Sequence, residues 1–234
     1  MKPLLVLAAF PMVLMGWASC SHSGTGHAAL PDPRAVDKSV PEYKNPFHPS
    51  TYAHFVARKD YRKTYDVYKD DTLLNRQPKK SRKIFVCLDE QRGQYLVDGL
   101  VAMDFPLSSG VKAYPTKTGD YAVISKKEDH TSNLYGKMYD AEGKCINYNA
   151  ESTDPVPEGG RFDGSPMPYW PRLTHARLGR QGGKVRRHPV SHGCVRLPRN
   201  VAEILYRQTS IGTPVTIRKT PLPVPEAQKV PAVQ

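Results

Sequence analysis

A mainly-β domain with few short helices, preceded by a helical extension, is the fold class this sequence predicts. Two observations carry the prediction. From Arg82 onward the apolar residues fall in short strand-like runs, and one pair of runs is joined by Asp98-Gly99, the strongest short hairpin signal. Beyond Arg82 a single clear helical stretch interrupts that pattern, Val201 to Gln208.

Taken in order, the chain begins with Lys2, an apolar run from Leu4 to Trp17, and then Ala18-Ser19-Cys20. This pattern reads as a secretory signal over residues 1–19, too short to predict a membrane-spanning helix. Cys20 stands where a lipoprotein carries its lipid, and one or two acyl chains would tether the protein to a membrane without spanning it. The alternative is cleavage after Ala28 or Ala29, which leaves no lipid. Residues 20–50 carry Pro31, Pro33, Pro41, Pro46 and Pro49, which predict an extended tether. In residues 51–81, Tyr61, Tyr65 and Tyr68 recur at i, i+4 and i+7, the period of one helix face packed on the main domain.

Residues 82–219 form the predicted domain. Its strands are Ile84 to Leu88, Gln94 to Val97, Leu100 to Phe105, Gly119 to Ile124 and Val215 to Ile217. Asn200 is a good N-cap for the helix that follows it. Residues 220–234 alternate Pro with small residues and predict a disordered tail.

The chain has 234 residues, a formal net charge of +12 and a pI near 9.5. Outside the cytoplasm, such a charge suits cell-wall polymers and anionic headgroups. A secretory signal argues against nucleic acid as the partner. The four cysteines fit neither a disulfide framework nor a zinc pattern. Cys87 lies in an apolar run where a free buried thiol is the default, the alternative being a bridge to Cys145.

Cys194 carries the chemistry. It stands in Ser191-His192-Gly193-Cys194-Val195-Arg196-Leu197, two residues after a histidine and next to a glycine. Glycine lets backbone approach a substrate closely, and histidine can lower a thiol's pKa or steady a developing charge.

This run resembles the catalytic signature of the L,D-transpeptidases, bacterial cysteine enzymes that remodel peptidoglycan. Three further segments carry the resemblance in the family's order. Gln91 to Leu96 resembles its first hairpin. Ser108-Ser109-Gly110 with Pro115-Thr116-Lys117-Thr118-Gly119-Asp120-Tyr121 resembles its Ser-Thr-Gly and Pro-Thr element. Met167-Pro168-Tyr169-Trp170 resembles a segment of one branch. The resemblance implies a mixed-sheet, β-sandwich-like catalytic domain that needs no metal or organic cofactor. It implies that Cys194 attacks a peptidoglycan stem peptide after its third residue, releasing D-Ala and leaving an acyl-enzyme. A second stem or an envelope protein then accepts the acyl group, or water does, which makes an L,D-carboxypeptidase. Backbone around His192, Gly193 and Cys194 would form the oxyanion hole. Ser191, Tyr169, Trp170 and Arg196 would face substrate, and Arg196 has the alternative role of ordering the loop.

One position departs from the pattern. Counting back from Cys194, Gln181 falls where the family has its base histidine, and an amide is not a base near neutral pH. His192 and His188 are the substitutes within reach in sequence. His175 lies six residues from Gln181, about 20 Å along a strand. Two function classes follow: an active transpeptidase or carboxypeptidase, or a catalytically impaired relative that binds cell-wall peptides or scaffolds an assembly. A papain-like protease is excluded by residue order and local motif.

Overall fold

The computed structural model describes residues 29–76, 81–173, 180–182 and 185–232. Among these, short strands dominate, in mixed sheets with few helices. The principal sheet has six strands in the order β1 (Tyr68–Lys69), β4 (Leu100–Pro106), β3 (Arg92–Val97), β2 (Arg82–Cys87), β13 (Pro214–Arg218), β5 (Gly119–Ala122). Its pairings are antiparallel except β13 with β2, which are parallel. The predicted hairpin is present: Asp98 and Gly99 join β3 to β4, both with φ positive, at 50° and 79°.

One face of this sheet builds the larger core. Ile84, Val86, Tyr95, Val97, Met103, Phe105, Val215 and Ile217 bury there against Val201, Ala202 and Leu205 of α3 (Arg199–Gln208). The periods agree, since alternate strand residues face one side and i, i+4 helix residues form one stripe. The helix starts one residue before the predicted cap: Pro198 is its N-cap and no side chain caps it.

The opposite face is polar at its centre. Arg92 pairs with Asp104, and both side chains are fully buried. Asp104 also accepts hydrogen bonds from Tyr52 Oη (2.7 Å), Tyr61 Oη (2.9 Å) and Gln94 Nε2 (3.0 Å). Arg92 donates to the carbonyls of Thr64 (3.2 Å) and Asp66 (3.0 Å), and its guanidinium lies over the Tyr61 ring at 4.8 Å. A buried ion pair is tolerable only when such bonds satisfy it on all sides.

The N-terminal and C-terminal segments supply that cover, which corrects three expectations. Residues 51–75 are not one helix. They form α1 (Tyr52–Ala57), a turn, β1 and α2 (Asp71–Asn75). Tyr61 is buried in the turn and Tyr68 lies in a strand, whereas Tyr65 is 57% exposed, so the three share no helix face. From residue 29 the proline-rich segment packs rather than extends: Phe47 is fully buried, and Lys38 Nζ donates to the Val56 carbonyl at 2.8 Å. Nor is the tail disordered over 224–231. Val224 joins the Phe47 cluster, Pro231 bridges Phe47, and the Gln228 amide bonds both N–H (2.8 Å) and C=O (3.0 Å) of Val101. Residues 1–28, with the predicted signal and Cys20, lie outside the described residues. Among the described residues no helix is long and apolar enough to cross a membrane.

Three smaller sheets complete the fold. β7 (Thr131–Tyr139), β8 (Cys145–Glu151) and β9 (Arg161–Pro166) form an antiparallel sheet in a region where the sequence predicted no element. β6 (Ser125–Lys127) pairs antiparallel with β10 (Trp170–Arg172). β11 (Arg180–Gly182) pairs parallel with β12 (Val195–Leu197). Cys87, Cys145 and Cys194 are all free thiols. Burial pushes the Cys87 thiol up to about 11, as expected of an inert structural cysteine.

Candidate active site

Cys194 ends a turn between the loop over 185–190 and β12. Val195 and Leu197 bury in the core, so strand alternation turns Arg196 the other way. The turn is held on the segment Ser108 to Gly110. Ser108 and Arg196 exchange backbone hydrogen bonds of 3.0 and 2.8 Å. Val190 N–H (2.8 Å) and Ser191 N–H (3.1 Å) both donate to the Ser109 carbonyl, and Val111 N–H donates to the Ser191 carbonyl at 2.9 Å. Gln91 props this segment from behind. Its amide accepts from Ser109 N–H at 2.9 Å and donates to Ser109 Oγ at 2.8 Å.

Within the turn the carbonyls are engaged. Ser191 Oγ donates to the Cys194 carbonyl. Thr116 Oγ1 donates to the Gly193 carbonyl and accepts from Gly110 N–H, each at 2.8 Å. Gly193 has φ of +102°, where a side chain would be strained. Gly110 is required for a different reason: a Cβ there would stand 2.8 Å from Gly193 Cα and would overlap the Tyr114 carbonyl. Gly110→Ala should therefore shift the Cys194 turn while the sheet survives. Overpacking costs about 1–3 kcal/mol, and a displacement of about 1 Å at a reacting group can cost about a hundredfold in rate. Cys194 alkylation kinetics beside a melting curve will check both effects.

The preceding loop is tied to the N-terminal extension. Arg187 has φ of +59° and donates to the carbonyls of Thr64, Arg62 (2.6 Å) and Glu90 (3.0 Å). Arg186 N–H donates to Ser108 Oγ at 2.7 Å.

Cys194 opens on a cavity of about 510 Å³. Ser191, His192 and Arg196 share its wall from the signature segment. Lys127 from β6, His130, and Arg172 from β10 complete the polar lining, with Tyr135 and Met167 among the apolar contributors. His192 is exposed and stacks on Tyr135, ring centroids 4.3 Å apart at 18°, with Tyr114 on another side at 4.7 Å. Burial holds the His130 imidazole below the ordinary histidine range, and the nearby charges of Lys127 and Arg172 add to this. Among the described residues no group of three His, Cys, Asp or Glu is placed to hold a metal ion.

The structure therefore brings together Cys194, His192, Ser191, Gly193 and Arg196. It puts His188 on the exposed loop, its Nδ1 3.3 Å from the Pro189 carbonyl, and His188 does not line the cavity. Tyr169 packs against Tyr206 of α3, centroids 5.8 Å apart, and is also outside the lining. Trp170 lies in β10 opposite Lys127. Gln181 lies in β11 opposite Arg196, so its backbone is one strand from the Cys194 turn. His175 is outside the described residues. Sequence reasoning missed Lys127, His130 and Arg172. No spacing rule links them to Cys194, because they reach the cavity from separate elements.

The structure is thus a mixed-sheet domain whose cysteine turn opens on a polar cavity. Residues 81–217 match the L,D-transpeptidase catalytic domain family (YkuD). That is more than half of the chain, and the chain belongs to this family. Similar solved structures include an L,D-transpeptidase from Mycobacterium smegmatis, 20% identical, with 58% of each chain covered and a TM-score of 0.45. An Enterococcus faecium L,D-transpeptidase is 26% identical over 58% of this chain and 49% of its own, TM-score 0.43. One from Stackebrandtia nassauensis is 19% identical over 71% of this chain and 65% of its own, TM-score 0.44. The chain thus spans about half the length of the first two. Comparison with functionally curated proteins gives no match.

Proposed function

We propose that this protein is a cysteine-dependent acyltransferase of peptidoglycan stem peptides, acting in cell-wall cross-linking or remodelling. The observation that carries the reading is the Ser191–Cys194 turn, anchored on Ser108 to Gly110 and Thr116 and opening Cys194 to the cavity. In this reading the Cys194 thiol loses its proton and the sulfur attacks the carbonyl carbon of the third stem residue. Backbone N–H groups of the His192–Cys194 turn stabilise the oxyanion. The C–N bond then breaks, D-Ala leaves with the proton on its amine, and a thioester remains. An amine from another stem or from an envelope protein displaces the sulfur, or water does. The chemistry requires no metal or organic cofactor. Cys20 supplies the lipid anchor in the same reading, which keeps the domain at the cell envelope.

The proton acceptor is His130. It lines the cavity with Cys194, and its depressed pKa keeps it neutral at neutral pH. Lys127, Arg172, Arg196, His192 and Cys194 line the same cavity, Lys127 and Arg172 close enough to act on its charge, and Asp129 and Arg199 line a second, adjoining pocket with it. A positioned base contributes about 10²–10⁴-fold, so His130→Ala should slow Cys194 acylation by such a factor. His188→Ala should leave the rate near wild type, and Gln181→His should add little. The sign in pH follows: an imidazole held below the ordinary 6.5 loses its basic form only at lower pH, so the acid limb of the rate should fall below 6.5. That limb should vanish in His130→Ala. Loss of rate in His188→Ala with none in His130→Ala would reverse the assignment.

Gln181 in β11 favours a second reading, an impaired relative that binds stem peptides without turnover. Incubation of the purified protein with disaccharide-tetrapeptide, followed by muropeptide separation, decides between them. The first reading predicts cross-linked dimers or trimmed tripeptides, and the second predicts unchanged tetrapeptide.

A further inference from the structure

The loop that leads into the Cys194 turn has two kinds of anchor. Arg186 N–H donates to Ser108 Oγ at 2.7 Å, and Val190 N–H donates to the Ser109 carbonyl at 2.8 Å, so its backbone rests on the segment that also backs Cys194. Arg187, between them, reaches beyond that segment. Its guanidinium donates to the carbonyls of Arg62 (2.6 Å) and Thr64 in the N-terminal extension, and to the carbonyl of Glu90 (3.0 Å) in the turn between β2 and β3.

Two of these acceptors are themselves fixed. Thr64 is buried, and its carbonyl also accepts from Arg92 of the buried Arg92–Asp104 pair. The Glu90 side chain is buried and pairs with Arg34 at 3.4 Å, while Gln91, the next residue, props Ser109. A surface staple would pair with a carboxylate and sit on relaxed backbone. Arg187 does neither. Among the described residues its hydrogen bonds all go to carbonyls. Its φ of +59° lies in the left-handed region, which persists for such a residue only where the surroundings over-determine it. The planar guanidinium fork reaches acceptors on two separate segments at once, which the point charge of a lysine does not match.

We propose that Arg187 is a positioning residue for acyl transfer: it ties the loop before Cys194 to the docked N-terminal extension, so that the extension takes part in holding the catalytic turn. Its bearing on activity rests on the acyl-transfer reading above; the tie itself rests on the contacts alone. Arg187 lies three residues before Val190, whose N–H shares the Ser109 carbonyl with Ser191 N–H. A loop released at Arg187 loosens that pair of bonds, and with them Ser191, whose Oγ holds the Cys194 carbonyl. Arg187 does not line the cavity, so its effect reaches substrate only through the turn.

The test uses the full-length protein below the melting point of every variant. Two quantities are read: hydrogen exchange at Val190 and Ser191, and the kinetics of D-Ala release from a stem tetrapeptide. Arg187→Asn removes the guanidinium but keeps a residue that tolerates the left-handed backbone. Exchange at both N–H groups should then quicken by about tenfold or more, as local opening becomes easier. The same variant should lower kcat by about 10–100-fold through misplacement of the thiol. KM should stay within about twofold of wild type, because no substrate contact is lost. Arg187→Lys should recover part of both losses. Val97→Ala, a core cavity at the far end of β3, should lower the melting temperature with neither change. Tyr61→Phe, which loosens the extension at its bond to Asp104, should give the same effects in weaker form and add nothing once Arg187 is replaced, since both act on one link.

Unchanged exchange in Arg187→Asn overturns the proposal. So does faster exchange with kcat intact, which would leave Arg187 no bearing on the thiol. Additive effects of the Tyr61 and Arg187 replacements overturn it too, because the loop would then be independent of the extension. If the wild-type chain releases no D-Ala, the acyl-transfer reading falls, and exchange in the single and double variants still decides whether the extension holds the loop.

Discussion

Cys194→Ala should abolish every covalent product this protein forms with an acyl donor. A carbapenem incubated with the wild-type chain should give one mass adduct, on Cys194, and the variant should give none. The other free thiols of the described structure do not compete. Cys87 is buried, its thiol is pushed up to about 11, and its Sγ donates to the Lys219 carbonyl at 3.0 Å. Cys145 lies in β8 and does not line the cavity. The fold should survive, because backbone groups, Ser191 and Thr116 all hold the Cys194 turn. An adduct that persists in Cys194→Ala would move the nucleophile elsewhere.

Asp104→Ala should cause the largest loss of stability. Its carboxylate is the hub of the buried polar face, accepting from Arg92, Gln94, Tyr52 and Tyr61 at once. Removing it leaves the Arg92 guanidinium buried without its counter-charge, and breaking one side of such a pair costs about 3–5 kcal/mol. At about 2–4 °C per kcal/mol for a chain of this size, the melting temperature should drop by roughly 6–20 °C. Asp104→Asn keeps the shape and some hydrogen bonds but not the charge, so it should fall between wild type and Asp104→Ala. The same hub receives the N-terminal extension through Tyr52 and Tyr61, and Arg187 links that extension to the loop before Cys194. Both variants should therefore also slow Cys194 acylation below their melting points. A drop of under about 1 kcal/mol for Asp104→Ala would be the behaviour of a screened surface pair.

The parts of the fold legible in sequence are those where apolar residues mark one face. The Arg92–Pro106 hairpin, β2, β13 and α3 all contribute a regular apolar set to one core. The sheet of β7, β8 and β9 was not legible for the opposite reason. β8 reads Cys-Ile-Asn-Tyr-Asn-Ala-Glu and buries only Ala150, so neither of its faces shows the alternation that marks a strand. The tyrosine spacing misled because burial of Tyr61 and Tyr68 is set by the Arg92–Asp104 hub and by pairing of β1 with β4, long-range features with no local period. Proline forbids regular hydrogen bonding but not packing, which is why both proline-rich ends bury residues such as Phe47 and Val224.

The site divides in the same way. The turn from Ser191 to Arg196 is contiguous, and its glycine, histidine and cysteine announce themselves by adjacency. The cavity wall is assembled from β6, the β6–β7 connection and β10, so Lys127, His130 and Arg172 were invisible as a group until the ladder was seen. The charge of the wall was present in the composition, but the convergence of Lys127, Arg172 and Arg196 on one cavity was not.

Rapid mixing of the protein with a stem tetrapeptide, read by intact-protein mass spectrometry and D-Ala quantification together, tests the acyl-transfer chemistry most directly. A thioester on Cys194, carrying the tripeptide acyl group, should accumulate with release of one D-Ala per active site, and the adduct should disappear when an amine acceptor is added. Absence of both adduct and D-Ala, from a protein whose Cys194 still reacts with iodoacetamide, would contradict it.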